Sequence, residues 1–313
     1  MGAVTYVCDD KDYTRMNTAE MTAKFAAGQG FIAALDQSGG STPKALAGYG
    51  IEPSAWSDDA GMYALIHEMR SRIIRSAVFT GDKVLGAILF ERTMDGMVDG
   101  APVPAALLAK GIVPFIKIDK GLEDEANGVQ LMKPMPDLDA LLVRSKALGV
   151  YGTKERSVIN SADKDGIAEI VSQQFKIADQ VLAHGMVPIL EPEVNIKSPT
   201  RGQCDLILCD ELLAALDDDA RGPQLMLKLS LPVVPGTFHW LVDHPRVLKV
   251  VALSGGYERP EACAELAKNR GIIASFSRAL LQDLRSGMSD LEFNAALGSA
   301  IDEIYTGSVV KTV

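Results

Sequence analysis

The chain has 313 residues, of which 47% are hydrophobic and 23% are charged, as expected for a globular protein with a large core. Its formal net charge of −10 disfavours general binding to nucleic acids or to anionic membranes. The four cysteines form no Cys-x-x-Cys pair, which favours reduced intracellular thiols. The N-terminus lacks a secretory signal pattern and no apolar run is long enough to cross a membrane, so the sequence predicts a cytoplasmic protein.

Short apolar runs alternate with helical patterns along most of the chain. Residues 1–16 are polar and irregular, and Asn17 or Thr18 can cap a first helix that glycines 28 and 30 end. Ser289 and Glu292 form the capping box of a last helix. The apolar runs predict eight strands at residues 31–37, 85–90, 112–121, 150–157, 187–194, 224–231, 247–256 and 271–278.

Eight strands that alternate with helices predict an α/β fold, namely a single (β/α)8 TIM barrel. The strands are too apolar for half-exposed sheets, which is typical of parallel strands covered by helices. An open doubly wound sheet would give a similar pattern, but Gly-x-Gly-x-x-Gly is absent after the first strand. We expect an arm and helix over residues 1–30, a catalytic barrel over 31–285, and a helix with a short tail over 286–313.

Charged side chains stand near the C-terminal end of almost every predicted strand, where barrel enzymes carry their catalytic groups. They are Asp36, Lys117, Asp119, Lys154, Arg156, Glu191, Glu193, Lys228 and Arg278. Charged residues two positions apart project from the same face of a strand. One such residue usually belongs to a buried ion pair, but a set of this size favours a mixed-charge active site.

Lys228 stands in the otherwise apolar run 224–231. On its own this run favours a lysine that reaches solvent from a strand end, whereas the surrounding charged set favours a buried one. A buried lysine is either paired with an acid or has a lowered pKa, and a neutral lysine can form a Schiff base with a ketone. The sequence therefore predicts a Schiff-base nucleophile.

The other charged residues suit the remaining steps of such a reaction. We expect Glu191 to be the acid for loss of water from the carbinolamine, with a pKa raised by partial burial. Asp36 could take a proton from the hydroxyl whose collapse breaks the carbon–carbon bond. Lys154 could hold an oxyanion and keep Lys228 deprotonated by repulsion between like charges.

Two stretches of small residues are suited to bind phosphates. Ser254, Gly255 and Gly256 follow the seventh predicted strand and offer backbone N–H groups and a hydroxyl, with Arg278 as a forked donor. A second phosphate could be bound by a set that spans the first and third strand ends, namely Ser38, Ser41 and Lys117.

The segments that carry these residues resemble class I fructose-bisphosphate aldolases, and most closely the compact bacterial branch of that family. These segments are Leu35–Lys44, Ile116–Gly121, Gly152–Arg156, Val187–Glu193, Met226–Leu229, Leu253–Gly256 and Ser275–Leu280. No single motif is specific, but the set occurs in order over most of the chain.

The resemblance implies a metal-independent aldolase without a cofactor that cleaves fructose 1,6-bisphosphate to dihydroxyacetone phosphate and glyceraldehyde 3-phosphate, and runs the reverse condensation. It implies an imine at Lys228, acid–base chemistry at Glu191, and proton abstraction from the C4 hydroxyl by Asp36. It also implies homo-oligomers in some family members. The resemblance assigns Ser254, Gly255 and Arg278 to the C1 phosphate and Ser38, Ser41 and Lys117 to the C6 phosphate, with Lys154, Arg156 and Glu193 as further site residues. We also expect Gly256 and Ser275 to bind substrate or phosphate.

The sequence departs from animal members of the family at three places. These have arginine where Ala45 stands and glycine where Ser277 stands, so one phosphate contact is lost or is replaced by Lys44. Their long C-terminal tail ending in tyrosine is not evident here, and the group that protonates the enamine is left open.

Two other functions fit parts of the pattern. Another Schiff-base barrel enzyme, such as a transaldolase, would share Lys228 but would lack one phosphate site. A non-catalytic sugar-phosphate-binding barrel would not need Lys228, Glu191 and Asp36 together. A metal-dependent aldolase is disfavoured, because none of the four histidines falls at a predicted strand end.

Overall fold

The computed structural model describes residues 16–312. The predicted N-terminal arm therefore lies outside the described residues, except for Met16. From Thr18 onwards the chain alternates strands and helices in the predicted order.

Eight parallel strands form a closed barrel, as the sequence predicts. Each strand pairs with its neighbours in chain order, the eighth pairs with the first, and the third pairs with the fourth. The first to eighth barrel strands are Phe31–Leu35, Val84–Leu89, Val113–Lys117, Gly152–Ile159, Val187–Val194, Leu225–Ser230, Val247–Leu253 and Ile273–Phe276. Several are shorter than predicted at the carboxyl end, so Asp36, Asp119 and Arg278 lie just beyond their strands.

Helices cover the outside of the barrel and one end of it. They are Thr18–Ala27, Ser41–Gly48, Asp59–Arg75, Glu91–Met94, Val103–Ala109, Leu138–Ala147, Lys164–Ala183, Arg201–Asp217, His239–Val242, Arg259–Ala267, Arg278–Leu281 and Asp290–Val309, with a 3-10 turn at Pro53–Ala55. Among the described residues, no helix is long and apolar enough to span a membrane.

Two hydrophobic cores hold the barrel together. The larger core lies between the strands and the helices, and the smaller one fills the barrel interior with alternate strand residues such as Ile32, Phe115 and Met226. The first helix closes the amino-terminal end, since Phe25 packs on Phe115 and Tyr151 at ring-centroid distances of 5.4 and 6.0 Å. The interior therefore opens towards the carboxyl ends of the strands.

The capping residues confirm both terminal helices. Asn17 caps the first helix in a capping box with Glu20, and Gly28 ends that helix in a left-handed conformation. Ser289 and Glu292 form the predicted capping box of the last helix. That helix is attached to the eighth strand, because the N–H of Ala274 donates to the Ser308 hydroxyl at 3.0 Å.

Three very short strands are absent from the sequence analysis. Met97–Val98 pairs with Ala101–Pro102, and Val129–Gln130 pairs antiparallel with the fourth barrel strand. A two-residue strand has no periodicity for a sequence pattern to detect. These strands lie in the connections and leave the barrel unchanged.

Candidate active site

The carboxyl ends of the barrel strands surround a cavity of about 740 Å³. Inward-facing residues of parallel barrel strands meet at this end, which explains why residues distant in sequence converge here. All candidate residues named from the sequence line the cavity, namely Asp36, Ser38, Ser41, Lys117, Lys154, Arg156, Glu191, Glu193, Lys228, Ser254, Gly255, Gly256, Ser275 and Arg278. Their individual roles stay predictions.

Lys154 lies at the centre of a cluster of buried charges. Its Nζ is 2.8 Å from Asp36 Oδ2, 2.8 Å from Glu191 Oε2 and 3.8 Å from Asp119 Oδ2. Burial alone would lower the pKa of Lys154, but Asp36 and Glu191 outweigh this effect and raise the pKa above its ordinary value. Lys154 is therefore charged. The neighbouring carboxylates compensate this positive charge, which we expected to repel a proton from Lys228.

Lys228 is buried in the sixth strand with 4% of its surface exposed, so it does not reach solvent from a strand end. Its Nζ lies 3.0 Å from Glu191 Oε1. Glu191 thus contacts two lysines, Lys228 through Oε1 and Lys154 through Oε2. Both oxygens of Glu191 therefore face a lysine Nζ.

The expected raised pKa of Glu191 is wrong. Burial does act to raise the pKa, but the charges of Lys154 and Lys228 outweigh it and lower the pKa below its ordinary value. The same balance holds the pKa of Asp36 well below its usual range. The sequence showed that Glu191 would be buried but did not show that two ammonium groups would lie against it. Both carboxyl groups are ionised in the free protein.

Two further ion pairs surround this centre. Lys117 Nζ lies 2.6 Å from Asp119 Oδ1, and burial lowers the pKa of Lys117 although Asp119 opposes the shift. Arg156 Nε lies 2.5 Å from Glu193 Oε2, while the Arg156 backbone N–H donates to Asp119 Oδ2 at 3.3 Å. Asp119 therefore joins the third and fourth strand ends, a role that the sequence analysis did not assign to it.

A turn with two glycines follows the seventh strand. Gly255 and Gly256 have φ values of 61° and 123°, which residues with a side chain rarely adopt. A Cβ atom at Gly256 would lie 3.4 Å from Nη2 of Arg278, so the guanidinium lies directly beside the turn. Backbone N–H groups next to a guanidinium can hold a phosphate.

The loop after the first strand lines the cavity next to the eighth strand. The Ser38 N–H donates to the Ser41 hydroxyl at 3.0 Å, and that hydroxyl donates to the Ser38 carbonyl at 2.9 Å. The Ser41 hydroxyl is thus satisfied within the turn and would have to rotate to bind a phosphate. Lys44 also lines the cavity and is exposed, next to Ala45.

The sequence analysis did not identify Arg70 and Gln37 as site components, and it named Ser277 only as a departure from animal members of the family. Arg70 is fully buried in the helix Asp59–Arg75 and donates to Gln37, and Gln37 donates to Ser277. Gln37 and Ser277 line the cavity. Arg70 appears in the sequence only as one position of an amphipathic helix, so no local pattern could have revealed this contact.

Comparison with known proteins identifies the family of this chain. The sequence profile of the family described as fructose-bisphosphate aldolase class-I matches residues 17–215. A curated relative from Porphyromonas gingivalis, named fructose-bisphosphate aldolase class 1, is 51% identical over 281 residues, which cover 90% of this chain and 95% of the relative. The chain belongs to the class I fructose-bisphosphate aldolases.

A solved structure supports the same fold for this class I aldolase. Fructose-bisphosphate aldolase from Plasmodium falciparum, in complex with TRAP and a small-molecule inhibitor, matches with a TM-score of 0.74 at 20% identity, over 93% of this chain and 94% of that chain. The family profile ends at residue 215, before Lys228 and the turn at Ser254. The roles of those residues therefore stay predictions, supported by their position in the cavity.

The class I family is metal-independent, in agreement with the sequence analysis. Within residues 16–312, no three His, Cys, Asp or Glu side chains are arranged to hold a metal ion. The acids of the cavity are instead paired with lysine and arginine, as described above.

Proposed function

We propose that the chain cleaves fructose 1,6-bisphosphate to dihydroxyacetone phosphate and glyceraldehyde 3-phosphate through a Schiff base on Lys228, and catalyses the reverse condensation. The observation that carries the proposal is the buried contact of 3.0 Å between Lys228 Nζ and Glu191 Oε1. This pair lies in a cavity that also contains an anion-binding turn and further lysines. A nucleophilic amine needs a base beside it, and this carboxylate is suitably placed.

Glu191 would act first as a base and then as an acid. Its lowered pKa means that it is ionised in the free protein, so it can take a proton from the ammonium group of Lys228, and the amine that results attacks the C2 ketone. An N–H proton of the adduct passes to the C2 oxygen to give the carbinolamine, whose hydroxyl leaves as water when Glu191 returns its proton, and the iminium remains. Lys154, 2.8 Å from Glu191 Oε2, would stabilise the carboxylate before and after the transfer.

Asp36 would start the bond cleavage. Its carboxylate removes the proton of the C4 hydroxyl, the C3–C4 bond breaks, and the electron pair moves into the iminium to give an enamine. Glyceraldehyde 3-phosphate leaves. Protonation of the enamine at C3 and hydrolysis of the imine then release dihydroxyacetone phosphate and restore Lys228. Lys154 contacts both Asp36 and Glu191, so its positive charge would stabilise whichever of the two acids is ionised.

Two separate groups of residues in the cavity would hold the two phosphates. The C1 phosphate would bind the turn after the seventh strand, formed by Ser254, Gly255 and Gly256, together with Arg278. The C6 phosphate would bind near the loop after the first strand and the end of the third strand. The residues proposed for it are Ser38, Ser41 and Lys117, with Arg156, Glu193 and Ser275 as further contacts to substrate.

The wider setting follows from the same proposal. The chain would act in glycolysis and gluconeogenesis in the cytoplasm, with homo-oligomers as its assembled form and with no cofactor. The catalytic domain would be residues 31–285, flanked by the N-terminal segment 1–30 and the C-terminal segment 286–313.

Trapping tests the proposal directly. The protein is incubated with dihydroxyacetone phosphate, reduced with borohydride and digested, and the modified peptide is identified by mass spectrometry. We expect one adduct, on Lys228, and no adduct in Lys228→Met. Lys176→Met, which removes an exposed lysine from an outer helix, is the matched control and should label normally. A folded protein with no adduct would contradict the Schiff base and would favour a non-catalytic barrel that binds sugar phosphates.

Substrate choice separates this aldolase from other Schiff-base enzymes. Cleavage of fructose 1,6-bisphosphate should be much more efficient than cleavage of fructose 1-phosphate, because the cavity offers basic groups or N–H donors at both proposed phosphate sites. Equal values of kcat/KM for the two sugars would contradict the second phosphate site. EDTA should leave the activity unchanged.

A further inference from the structure

Arg70 is a buried cation without an acidic partner. Its side chain has no exposed surface, and within residues 16–312 it forms no ion pair at salt-bridge distance. Nη1 donates to the Thr93 hydroxyl at 2.7 Å, while Nη2 donates to the backbone carbonyl of Gln37 at 2.5 Å and to Gln37 Oε1 at 3.1 Å. Burying a guanidinium without a carboxylate beside it costs stability, so a role for its contacts to Gln37 is worth seeking.

The guanidinium of Arg70 determines which way the Gln37 amide points. A guanidinium only donates hydrogen bonds, so the carbonyl oxygen of the amide must face it. The NH2 group then points towards the cavity, where Nε2 donates to the Ser277 hydroxyl oxygen at 2.6 Å. The hydrogen bonds therefore run in one direction, from Arg70 to Gln37 and, through the other end of the amide, from Gln37 to Ser277.

Ser277 is left with a hydrogen to donate. Its oxygen accepts from Gln37, and its hydroxyl hydrogen has no acceptor among the described residues. Ser277 is half-buried, lines the cavity, and directly precedes Arg278, whose guanidinium lies beside the turn at Gly256. A hydroxyl that already accepts a hydrogen bond is also a stronger donor.

We propose that Ser277 is a further phosphate-binding residue, whose hydroxyl donates to the same phosphate as Arg278, and that Gln37 and Arg70 are positioning residues that aim this hydroxyl. The inference rests on the proposed function, because it takes that phosphate to be the one of dihydroxyacetone phosphate. A glycine at this position, as the resemblance places in animal members, could supply only its backbone. The Ser277 hydroxyl is thus a donor that a glycine at this position would lack.

The test uses two substitutions with different chemistry. Ser277→Ala removes the donor. Gln37→Glu keeps an acceptor for Arg70 but replaces the NH2 group by an acceptor, so the Ser277 hydroxyl should turn towards the introduced carboxylate and away from the phosphate. Ser299→Ala, which changes an exposed serine on the outer helix Asp290–Val309, is the matched control.

The measurement is the concentration of dihydroxyacetone phosphate that gives half-maximal borohydride labelling of Lys228. We expect it to rise about tenfold in Ser277→Ala and in Gln37→Glu, which corresponds to about 1.4 kcal/mol. The maximal labelling should be unchanged, because Lys228 and Glu191 are untouched. The KM for glyceraldehyde 3-phosphate in condensation and the behaviour of Ser299→Ala should match the unmodified protein.

The double variant Ser277→Ala with Gln37→Glu distinguishes two effects of Gln37→Glu. One is the loss of the correct orientation of the Ser277 hydroxyl, and the other is direct repulsion of the phosphate by the introduced carboxylate. Once Ser277 is alanine, Gln37→Glu should raise the half-saturation concentration by less than about twofold. A full tenfold effect in both backgrounds would overturn the positioning role of Gln37. Unchanged half-saturation in Ser277→Ala, or a penalty on glyceraldehyde 3-phosphate instead, would overturn the role of Ser277. Absence of any labelling in the unmodified protein would contradict the Schiff base instead.

Discussion

Replacing Lys154 with methionine removes one positive charge from the interior of the site while keeping the length of the side chain. In the structure this ammonium lies 2.8 Å from both Asp36 and Glu191 and 3.8 Å from Asp119. The side chain is 2% exposed, so water cannot take its place without a rearrangement. Lys154→Met therefore leaves carboxylates buried with too little compensating charge, and we expect a large loss of stability.

The size of the loss follows from the kind of contact that is broken. Removal of one partner from a buried ion pair costs about 3–5 kcal/mol, because the other charge stays buried. An unfolding entropy of roughly 2.1 cal/mol/K per residue over 313 residues is about 0.66 kcal/mol/K. The melting temperature should then fall by about 5–8 °C.

The pH dependence has a definite sign. The pKa values of Asp36 and Glu191 are lowered in the folded protein, so these carboxylates contribute stability above their unfolded pKa, and it is lost as the pH falls through the folded values. Lys154→Met removes a main cause of both shifts. The difference in melting temperature between the variant and the unmodified protein should be full at neutral pH and should shrink below about pH 4.

Calorimetry or a thermal melt followed by circular dichroism measures this difference. Adding Asp36→Asn to Lys154→Met should recover part of the loss, since it removes one of the unpaired charges. Lys176→Met removes an exposed lysine and should shift the melting temperature by less than about 1 °C. A shift of less than about 1 °C for Lys154→Met, or no recovery with Asp36→Asn, would refute the reasoning.

Three further predictions concern stability and phosphate binding. Burial raises the pKa of Glu155 well above its ordinary value, so the folded protein loses stability as the pH rises through the folded pKa. Glu155→Gln should therefore increase the free energy of unfolding at neutral pH, measured by urea unfolding, and a decrease would contradict this. Burial also raises the pKa of Asp205 to about 6, although Val233 N–H donates to this carboxyl. Asp205→Asn should therefore increase the free energy of unfolding by about 1–3 kcal/mol above pH 6 and by little below about pH 4. An equal increase at both pH values would contradict the raised pKa. Gly256→Ala should raise the KM for fructose 1,6-bisphosphate several-fold, because its φ of 123° would strain the turn beside Arg278 by about 1–3 kcal/mol; an unchanged KM would exclude this turn as a phosphate site.

The barrel and the contents of its cavity could be read from local patterns. A buried parallel strand is a short apolar run wherever it occurs, and the turn that follows it needs small residues. Catalytic groups of a barrel lie at one end of every strand, so position along each strand was enough to select residues such as Asp36, Glu191 and Lys228. Short strands such as Val129–Gln130 lack such a pattern and were missed.

Charge state and partner identity were decided only by the tertiary structure. Burial predicted a raised pKa for Glu191, but the closing of the barrel places Lys154 and Lys228 against it and reverses the sign. Electrostatic energies vary with distance and surroundings, and a sequence gives neither for residues on different strands. The contact of Gln37 with Ser277, 240 positions apart, exists because the eighth strand pairs with the first. The sequence by itself thus determined which groups reach the site, and the closed barrel decided which of them are paired and in which direction their pKa values shift.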